Sequence, residues 1–302
     1  MRQQSEIRKQ RSEQRSLSRI FAIILLSAFC LLHVVSCGDL SRGRYNQAAL
    51  KMAVQPIYAG DAMSRTFLPL LAYLSAETGY EVQYLSSLTY DGLGATVEGS
   101  GATLVLCDPV TLLTLRRTHQ ARALAIGLSG DRGSSSGLII VAQGSAIGDC
   151  RQLAGRRIAV VSQRSAQGYV SQAVWLQRLG VRLPRDARLV ECGTMEQVVE
   201  MVRAGRADAG FVNWQQGMAD PRPAGVTVLC QTAPVPNWVC ATLEGGSPDT
   251  DAKIAAALLR LSPANAEQKK ILDQLGYSRF GEVPANALAE LESQLRALRI
   301  PY

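Results

Sequence analysis

The feature that most constrains this chain is a run in its middle that reads as a buried strand, a tight polar turn and the start of a helix. Residues 158–161 are apolar and mostly β-branched, which is typical of a buried strand, and apolar residues return at helical spacing over 170–179. The first N–H groups of a helix lack intrahelical partners, and the helix dipole favours negative charge there. The turn at 162–168 therefore indicates an anion site, although an ordinary strand-to-helix loop with a serine cap explains the same residues.

Strand-like and helix-like patterns alternate through the rest of the chain. A first set of strand-like runs lies at residues 50–54, 81–85, 104–107, 121–128 and 138–142, and a second set at 157–161, 188–192, 207–212 and 227–230. A further strand-like run at 238–242 precedes three helical patterns. This alternation predicts an α/β fold of two lobes, each a mostly parallel sheet flanked by helices. Since ligands bind at the carboxyl ends of strands in such sheets, the loops after Val54, Cys107, Val161, Cys192 and Val212 should converge.

The predicted domain limits follow from these patterns. We expect a signal peptide at 1–36, a lipid-anchored tether at 37–47, a first lobe formed by 48–142 and 233–302, and a second lobe at 143–232. Two chain crossings near residues 143 and 232 would form a two-strand hinge.

The first 36 residues are typical of a targeting segment. Basic residues up to Arg19 precede an apolar run of 16 residues, which is shorter than the roughly 20 that span a bilayer. The small Ser36 directly before Cys37 resembles the end of a bacterial lipoprotein signal, in which Cys37 becomes lipidated. An uncleaved anchor and an ordinary secretory signal are the alternatives. We expect the periplasmic face of a bacterial envelope, with the chain lipid-anchored to one of its membranes.

The composition argues against several functional classes. The net charge is +7, but beyond residue 36 there are 26 Lys and Arg against 23 Asp and Glu, too weak a bias for a nucleic-acid partner. His119 is the only histidine left after the signal, and the cysteine spacings match no zinc site. No Gly-x-Ser-x-Gly or phosphate-loop motif is present. We therefore predict no metal, no cofactor and no catalytic residue.

Five cysteines follow the proposed lipidation site, so at least one thiol should stay free in an oxidising compartment. They are Cys107, Cys150, Cys192, Cys230 and Cys240. Their pairing is open, and a bond between Cys230 and Cys240 would restrict movement at the return hinge.

Five stretches of the mature chain share the order and spacing of motifs in a known family. They are Ala53–Pro56, Phe67–Gly79, Leu153–Ala159, Gly205–Gly210 and Pro234–Asn237. Together they resemble the phosphonate-type substrate-binding proteins of ABC importers, within the wider class of periplasmic binding proteins. The resemblance implies that two lobes close on a small oxyanion, such as a phosphonate, phosphite, phosphate or related organic anion. It also implies an ABC permease and its ATPase as partners, and we expect a monomer.

The ligand positions match that family less closely. Its second-lobe loop typically reads Ser-Thr-Ser-Gly, whereas this chain has Ser165-Ala166-Gln167-Gly168, and Asp108-Pro109 lies where the family has Gly-Pro. Asn213-Trp214 replaces an acidic pair that can hold an amino group. Backbone N–H donors do not depend on the side chain, so anion binding can persist, with a ligand that lacks the amino group.

Other residues near these loops complete the candidate site. Arg164 could clamp an oxyanion or be a solvated surface residue, and each cleft tyrosine could equally be rim packing. The predicted ligand-binding residues are Tyr58, Tyr90, Asp108, Arg164, Ser165, Ala166, Gln167, Gly168, Thr194, Asn213 and Trp214. The alternative function is a sensory or partner-binding lipoprotein that keeps the fold with a changed or lost ligand.

Overall fold

The computed structural model describes residues 49–213 and 224–302, which form two mixed sheets flanked by helices. Numbered in chain order, the strands are β1 (Leu50–Val54), β2 (Val82–Ser86), β3 (Leu104–Cys107), β4 (Arg122–Leu128), β5 (Ser134–Ala142), β6 (Arg157–Val160), β7 (Arg188–Glu191), β8 (Ala209–Asn213), β9 (Val226–Pro236), β10 (Val239–Thr242) and β11 (Arg279–Gly281). The helices are α1 (Ala62–Thr78), α2 (Leu93–Val97), α3 (Pro109–Thr118), α4 (Ser171–Arg178), α5 (Met195–Arg203), α6 (Pro248–Arg260), α7 (Ala266–Leu275) and α8 (Ala287–Leu298). The predicted signal peptide and tether lie outside the described residues.

The sheets confirm the two-lobe α/β architecture but are mixed rather than mostly parallel. The first has the order β11-β4-β10-β3-β1-β2 and the second β7-β6-β8-β5-β9. In each, a parallel set reached through helical connections is joined by strands that run the other way, such as β10 against β3 and β5 against β8. Strands β5 and β10 enter their sheets directly from the other lobe, without the crossover helix that a parallel neighbour requires.

One strand belongs to a different sheet from the one expected. The run at 138–142 was predicted to complete the first set, but β5 pairs with β8 and β9 in the second sheet. Strand β9 also continues to Pro236, beyond the predicted end at Cys230, because prolines are tolerated on an edge strand. By sheet membership the chain therefore crosses between lobes at residues 129–133 and 237–238, not near 143 and 232.

The buried Asn237 forms hydrogen bonds to both segments that cross between the lobes. The side-chain amide of Asn237 donates to the Gly127 carbonyl at 2.8 Å, and its oxygen accepts from the Ser135 hydroxyl at 2.6 Å. Its backbone N–H donates to the Gly133 carbonyl at 2.9 Å. Because Asn237 is fully buried, each of these bonds replaces one to water that the residue cannot make. The hinge is thus held by side chains as well as by the ladder between β5 and β9.

The helices bury apolar stripes on the sheets and so fix the loops at the strand ends. Helix α1 places Phe67, Leu70 and Leu74 in the core of the first lobe and ends at Gly79, whose φ of 76° is the left-handed conformation that glycine adopts easily. Helix α5 buries Val198 and Val202 in the second lobe. Within the described residues, every helix is too short or too polar to cross a bilayer.

The disulfide of the structure joins Cys150 to Cys230, with Cα atoms 6.6 Å apart. The considered bond between Cys230 and Cys240 is absent from the described residues, since Cys240 lies buried in β10 of the other sheet. Cys107, Cys192 and Cys240 are free thiols. The covalent bond therefore stabilises the second lobe and leaves the hinge unrestricted.

We predict three free thiols in unreduced, denatured protein of residues 38–302 and five after reduction. Replacing both Cys150 and Cys230 by Ala should lower the free energy of unfolding by about 2–4 kcal/mol, because the unfolded chain loses a cross-link. Thiol titration and chemical denaturation measure these quantities. Cys192→Ala is the control in the same lobe, and reduction should still add two free thiols to it. If reduction adds none to the unmodified protein, the assigned bond is contradicted.

Candidate functional site

A cavity lies between the two lobes, where the loops that follow several strands meet. The first lobe lines it with Ile57, Tyr58, Thr66, Phe67, Tyr90, Leu106, Asp108, Trp238, Gln274, Leu275 and Tyr277, and the second with Val161, Ser165, Gln167, Gly168, Met195 and Asn213. The segments that follow β1, β3, β6 and β7 contribute, as predicted from the carboxyl ends of the strands, and Asn213 is the last residue of β8. Most of the lining is apolar, and the polar groups come from a few positions on both lobes.

Asp108 is the centre of the polar part of this cavity. It caps helix α3, and its carboxylate accepts from the Val110 N–H at 2.8 Å and from the Tyr90 hydroxyl at 2.9 Å. It also accepts from the Ala166 N–H of the second lobe at 3.0 Å. The Asp108 N–H in turn donates to the Gln55 side-chain oxygen at 2.8 Å. A buried carboxylate of one lobe therefore binds a backbone donor of the other.

The environment of Asp108 changes its acidity. Burial raises the pKa of its carboxyl to about 6, and the nearby Asp91 charge adds to that rise. Hydrogen bonds from Val110, Ala166 and Tyr90 act in the opposite direction but do not cancel the cost of burial. Burial and the Asp108 charge also raise the pKa of the Tyr90 hydroxyl, so that group remains a donor.

The second-lobe loop is ordered by its own side chains. The Ser165 hydroxyl oxygen accepts from the Gly168 N–H at 3.1 Å and caps the wide helical turn Ala166–Val170, which leads into α4. The Gln167 amide donates to the Asn237 side-chain oxygen at 2.8 Å and accepts from the Asn213 amide. The loop is thus fixed to the hinge on one side and to the end of β8 on the other.

Two further contacts cross between the lobes beside the cavity. The Ser162 hydroxyl lies 2.9 Å from both carboxylate oxygens of Asp91. The Arg164 guanidinium donates to the Thr114 hydroxyl at 2.8 Å. Arg164 therefore bridges the lobes outside the lining of the cavity.

The structure brings most of the predicted site residues together. Seven of them line the cavity: Tyr58, Tyr90, Asp108, Ser165, Gln167, Gly168 and Asn213. Ala166 contributes its backbone N–H to Asp108, whereas Thr194 caps helix α5 and does not line the cavity. Trp214 lies outside the described residues. The ligand role of each of these residues stays a prediction.

Sequence reasoning missed the contributions of the hinge and of the end of helix α7. Trp238 directly follows the hinge motif, so its position next to the cavity could have been predicted. Gln274 and Tyr277 carried no such signal, because they lie far along the chain in a segment that looks like an ordinary surface helix. Only the packing of α7 against the first lobe brings them to the site.

The cavity is electrostatically unusual for an anion site. In the part of the chain that the structure describes, no Lys, Arg or His lines it, and Asp108 is the one carboxyl group there. Burial, together with the Glu196 charge, raises the pKa of Tyr58 to about 12, so this side chain is also a neutral donor. The described lining therefore offers a ligand's charge N–H and O–H donors.

Comparisons with known proteins agree with this two-lobe site. A family model described as the periplasmic substrate-binding protein of a phosphonate ABC transporter matches residues 52–287. The chain belongs to this phosphonate-binding family. No curated protein sequence is significantly similar to it.

Solved structures show the same fold. PhnD1 from Prochlorococcus marinus, in complex with methylphosphonate, is 17% identical, with a TM-score of 0.75 over 84% of this chain and 99% of PhnD1. A binding protein component of an ABC phosphonate transporter from Pseudomonas aeruginosa is 16% identical, with a TM-score of 0.72 over 84% of this chain and 87% of its own. XAC2383 from Xanthomonas citri, bound to chloride ion, is 20% identical, with a TM-score of 0.66 over 83% and 98% of the two chains.

The raised pKa predicts how Asp108 affects the stability of this family member. Since the folded state holds the proton more tightly than the unfolded state, the stability contributed by protonated Asp108 is full below about pH 4 and is lost as pH rises to about 6. Asp108→Asn should therefore gain stability relative to the unmodified protein between pH 4 and pH 7, by up to about 3 kcal/mol. Urea denaturation at both pH values measures the difference.

Asp249→Asn is the matched control for this experiment. Asp249 is 69% exposed in an i,i+4 ion pair with Lys253 and does not line the cavity. Its substitution should change stability by well under 1 kcal/mol at either pH. A pH-independent effect of Asp108→Asn would contradict the raised pKa.

Proposed function

We propose that the interlobe cavity of this ABC transporter substrate-binding protein captures a small oxyanion for delivery to the membrane permease. One observation carries the proposal: a carboxylate already lies in the cavity on the Ala166 N–H and the Tyr90 hydroxyl. These two donors come from different lobes and bind anionic oxygens at normal hydrogen-bond distance. A ligand oxygen at the same place would join the lobes in the same way.

The apolar lining sets the shape of the preferred ligand. Side chains such as Phe67, Leu106 and Val161 surround the polar end of the cavity and cannot hydrogen-bond. A compact oxyanion with a small alkyl group would place its oxygens on the donors and its alkyl group on this surface. Asn213, an amide, contributes no charge that would hold an ammonium group. Methylphosphonate, which combines an oxyanion with a small alkyl group, is therefore the probe that fits both features.

We also propose that the protein binds its ligand without transforming it. The family is one of transporter components, and the titratable groups in the cavity are an aspartate, which is held by three donors, and tyrosines. Neither a thiol nor a histidine lines the cavity in the described part of the chain. The sensory alternative has no specific observation in its favour.

A thermal-shift and calorimetric assay with methylphosphonate tests the proposal. At 100 times its dissociation constant a ligand should stabilise the protein by about 2.7 kcal/mol. Ser165→Ala should weaken binding about fivefold to tenfold, because it removes one hydroxyl from the lining.

Ser247→Ala is a closely matched control. Ser247 caps helix α6 as Ser165 caps its turn, but it lies away from the cavity. Its substitution should cost a similar amount of stability, about 1 kcal/mol, and leave the affinity unchanged. If methylphosphonate, phosphite, phosphate and small sulfonates all fail to bind, the oxyanion proposal is wrong.

We further propose that Cys37 is lipidated and holds a monomeric protein on the periplasmic face of a membrane. The family description as periplasmic supports the compartment. The basic and apolar run before Cys37 supports the anchor.

Cys37→Ser should move the protein from the membrane pellet to the soluble periplasmic fraction, since one thiol carries the lipid. Fractionation and immunoblotting measure this, with Cys192→Ser as the cysteine control that should stay in the pellet. Retention of Cys37→Ser in the membrane would indicate an uncleaved anchor instead.

A further inference from the structure

We propose that Asp108 determines the specificity of the cavity by making oxyanion binding require one additional proton. The inference rests on the proposed function, because it concerns the charge state in which that same site accepts its ligand. It assigns to Asp108 the role of an internal anion that occupies the ligand's donors when no ligand is bound.

The donors that a ligand oxyanion would use are already bound to Asp108. The Ala166 N–H lies 3.0 and 3.2 Å from the two carboxylate oxygens of Asp108, and the Tyr90 hydroxyl lies 2.9 Å from one of them. Asp108 and Ala166 are both buried, so solvent does not compete for these bonds. A ligand oxyanion can reach the same donors only by displacing the carboxylate or by sharing a proton with it.

The titratable and charged groups around the carboxylate come from three segments. Asp108 directly follows Cys107, the last residue of β3, and the thiol pKa of Cys107 is raised by burial and by the Asp108 charge. The short turn packed against it presents Tyr90 and Asp91, and Asp91 already accepts from Ser162. From the second lobe, Arg164 is the nearest cation in sequence to Ala166, and it donates to Thr114 instead.

The described lining residues place no cation beside Asp108, and two buried negative oxygens at hydrogen-bond distance cannot then both stay ionised. When the ligand binds, one proton taken up from solvent must lie between an Asp108 oxygen and a ligand oxygen. Protonated Asp108 then donates to the ligand, and the Ala166 N–H becomes available to it. The elevated pKa of Asp108, about 6, means that this proton is readily taken up near neutral pH.

The cavity should therefore favour monoanionic acids over dianions and bind either more tightly as pH falls. Above pH 6 the protonated fraction of Asp108 decreases tenfold per unit, so the affinity for methylphosphonate should decrease by up to about tenfold per unit beyond the ligand's own titration. The cavity should therefore have its higher ligand affinity at slightly acidic pH.

The test is isothermal titration calorimetry with methylphosphonate on residues 38–302, which contain the whole compact unit Gln47–Tyr302. Affinity is measured at pH 6, 7 and 8, and proton uptake at pH 7.5 in two buffers of different ionisation enthalpy. Asp108→Asn keeps the shape of the side chain and its acceptor oxygen but carries no titrating charge. Asp249→Asn, an exposed carboxylate on α6, is the charge control.

We expect the unmodified protein and Asp249→Asn to take up close to one proton more than Asp108→Asn and to lose affinity more steeply with pH. At pH 8, Asp108→Asn should bind methylphosphonate at least about tenfold more tightly than the unmodified protein does. Equal proton uptake and parallel pH profiles in all three proteins would overturn the role of Asp108 while leaving oxyanion binding intact. If none of the three binds at any pH, the proposed function fails, and this inference with it.

Discussion

The hydrogen bond between the Asp108 carboxylate and the Ala166 N–H joins the two lobes at the place where their loops meet. Much of the site depends on it. The carboxylate also fixes the start of α3 through Val110 and the position of Tyr90, while the Ala166 turn continues into α4. A single buried acid thus orders parts of both walls of the cavity, at the cost of keeping a charge away from water.

The hinge makes this closed arrangement possible. Asn237 holds both crossing segments and also accepts from Gln167, so the strand that returns to the first lobe is connected directly to the second-lobe loop. Because the disulfide lies within the second lobe, these crossings are free of covalent restraint. The two lobes are held together at the cavity by hydrogen bonds that a ligand could replace.

Local patterns in the sequence were sufficient for most elements. Strands β1 and β3 have the predicted bounds, and the run at 157–172 is the strand, turn and helix expected of it. These succeed because burial and capping act within a few residues. The sheet to which a strand belongs is not set by such local effects. The β5 run is apolar and fits either lobe, and only its pairing with β8 and β9 places it in the second sheet.

The same division applies to the site. Loops at strand ends predicted Tyr58, Ser165 and Asn213, since topology alone brings those ends together. The net charge of the cavity lining could not be predicted, because it depends on which side chains of the two lobes come together in the folded protein. Asp108 was recognised as a candidate ligand residue, but its occupation of the Ala166 donor follows from the tertiary contact between lobes, as does the contribution of Gln274.

The most direct test of this account is a crystal structure of residues 38–302 grown with methylphosphonate at pH 6. The account predicts a phosphonate oxygen within hydrogen-bond distance of both an Asp108 carboxyl oxygen and the Ala166 N–H, with the methyl group against the apolar lining. A phosphonate bound elsewhere, or a cavity in which Asp108 keeps the Ala166 N–H to itself at saturating ligand, would contradict it.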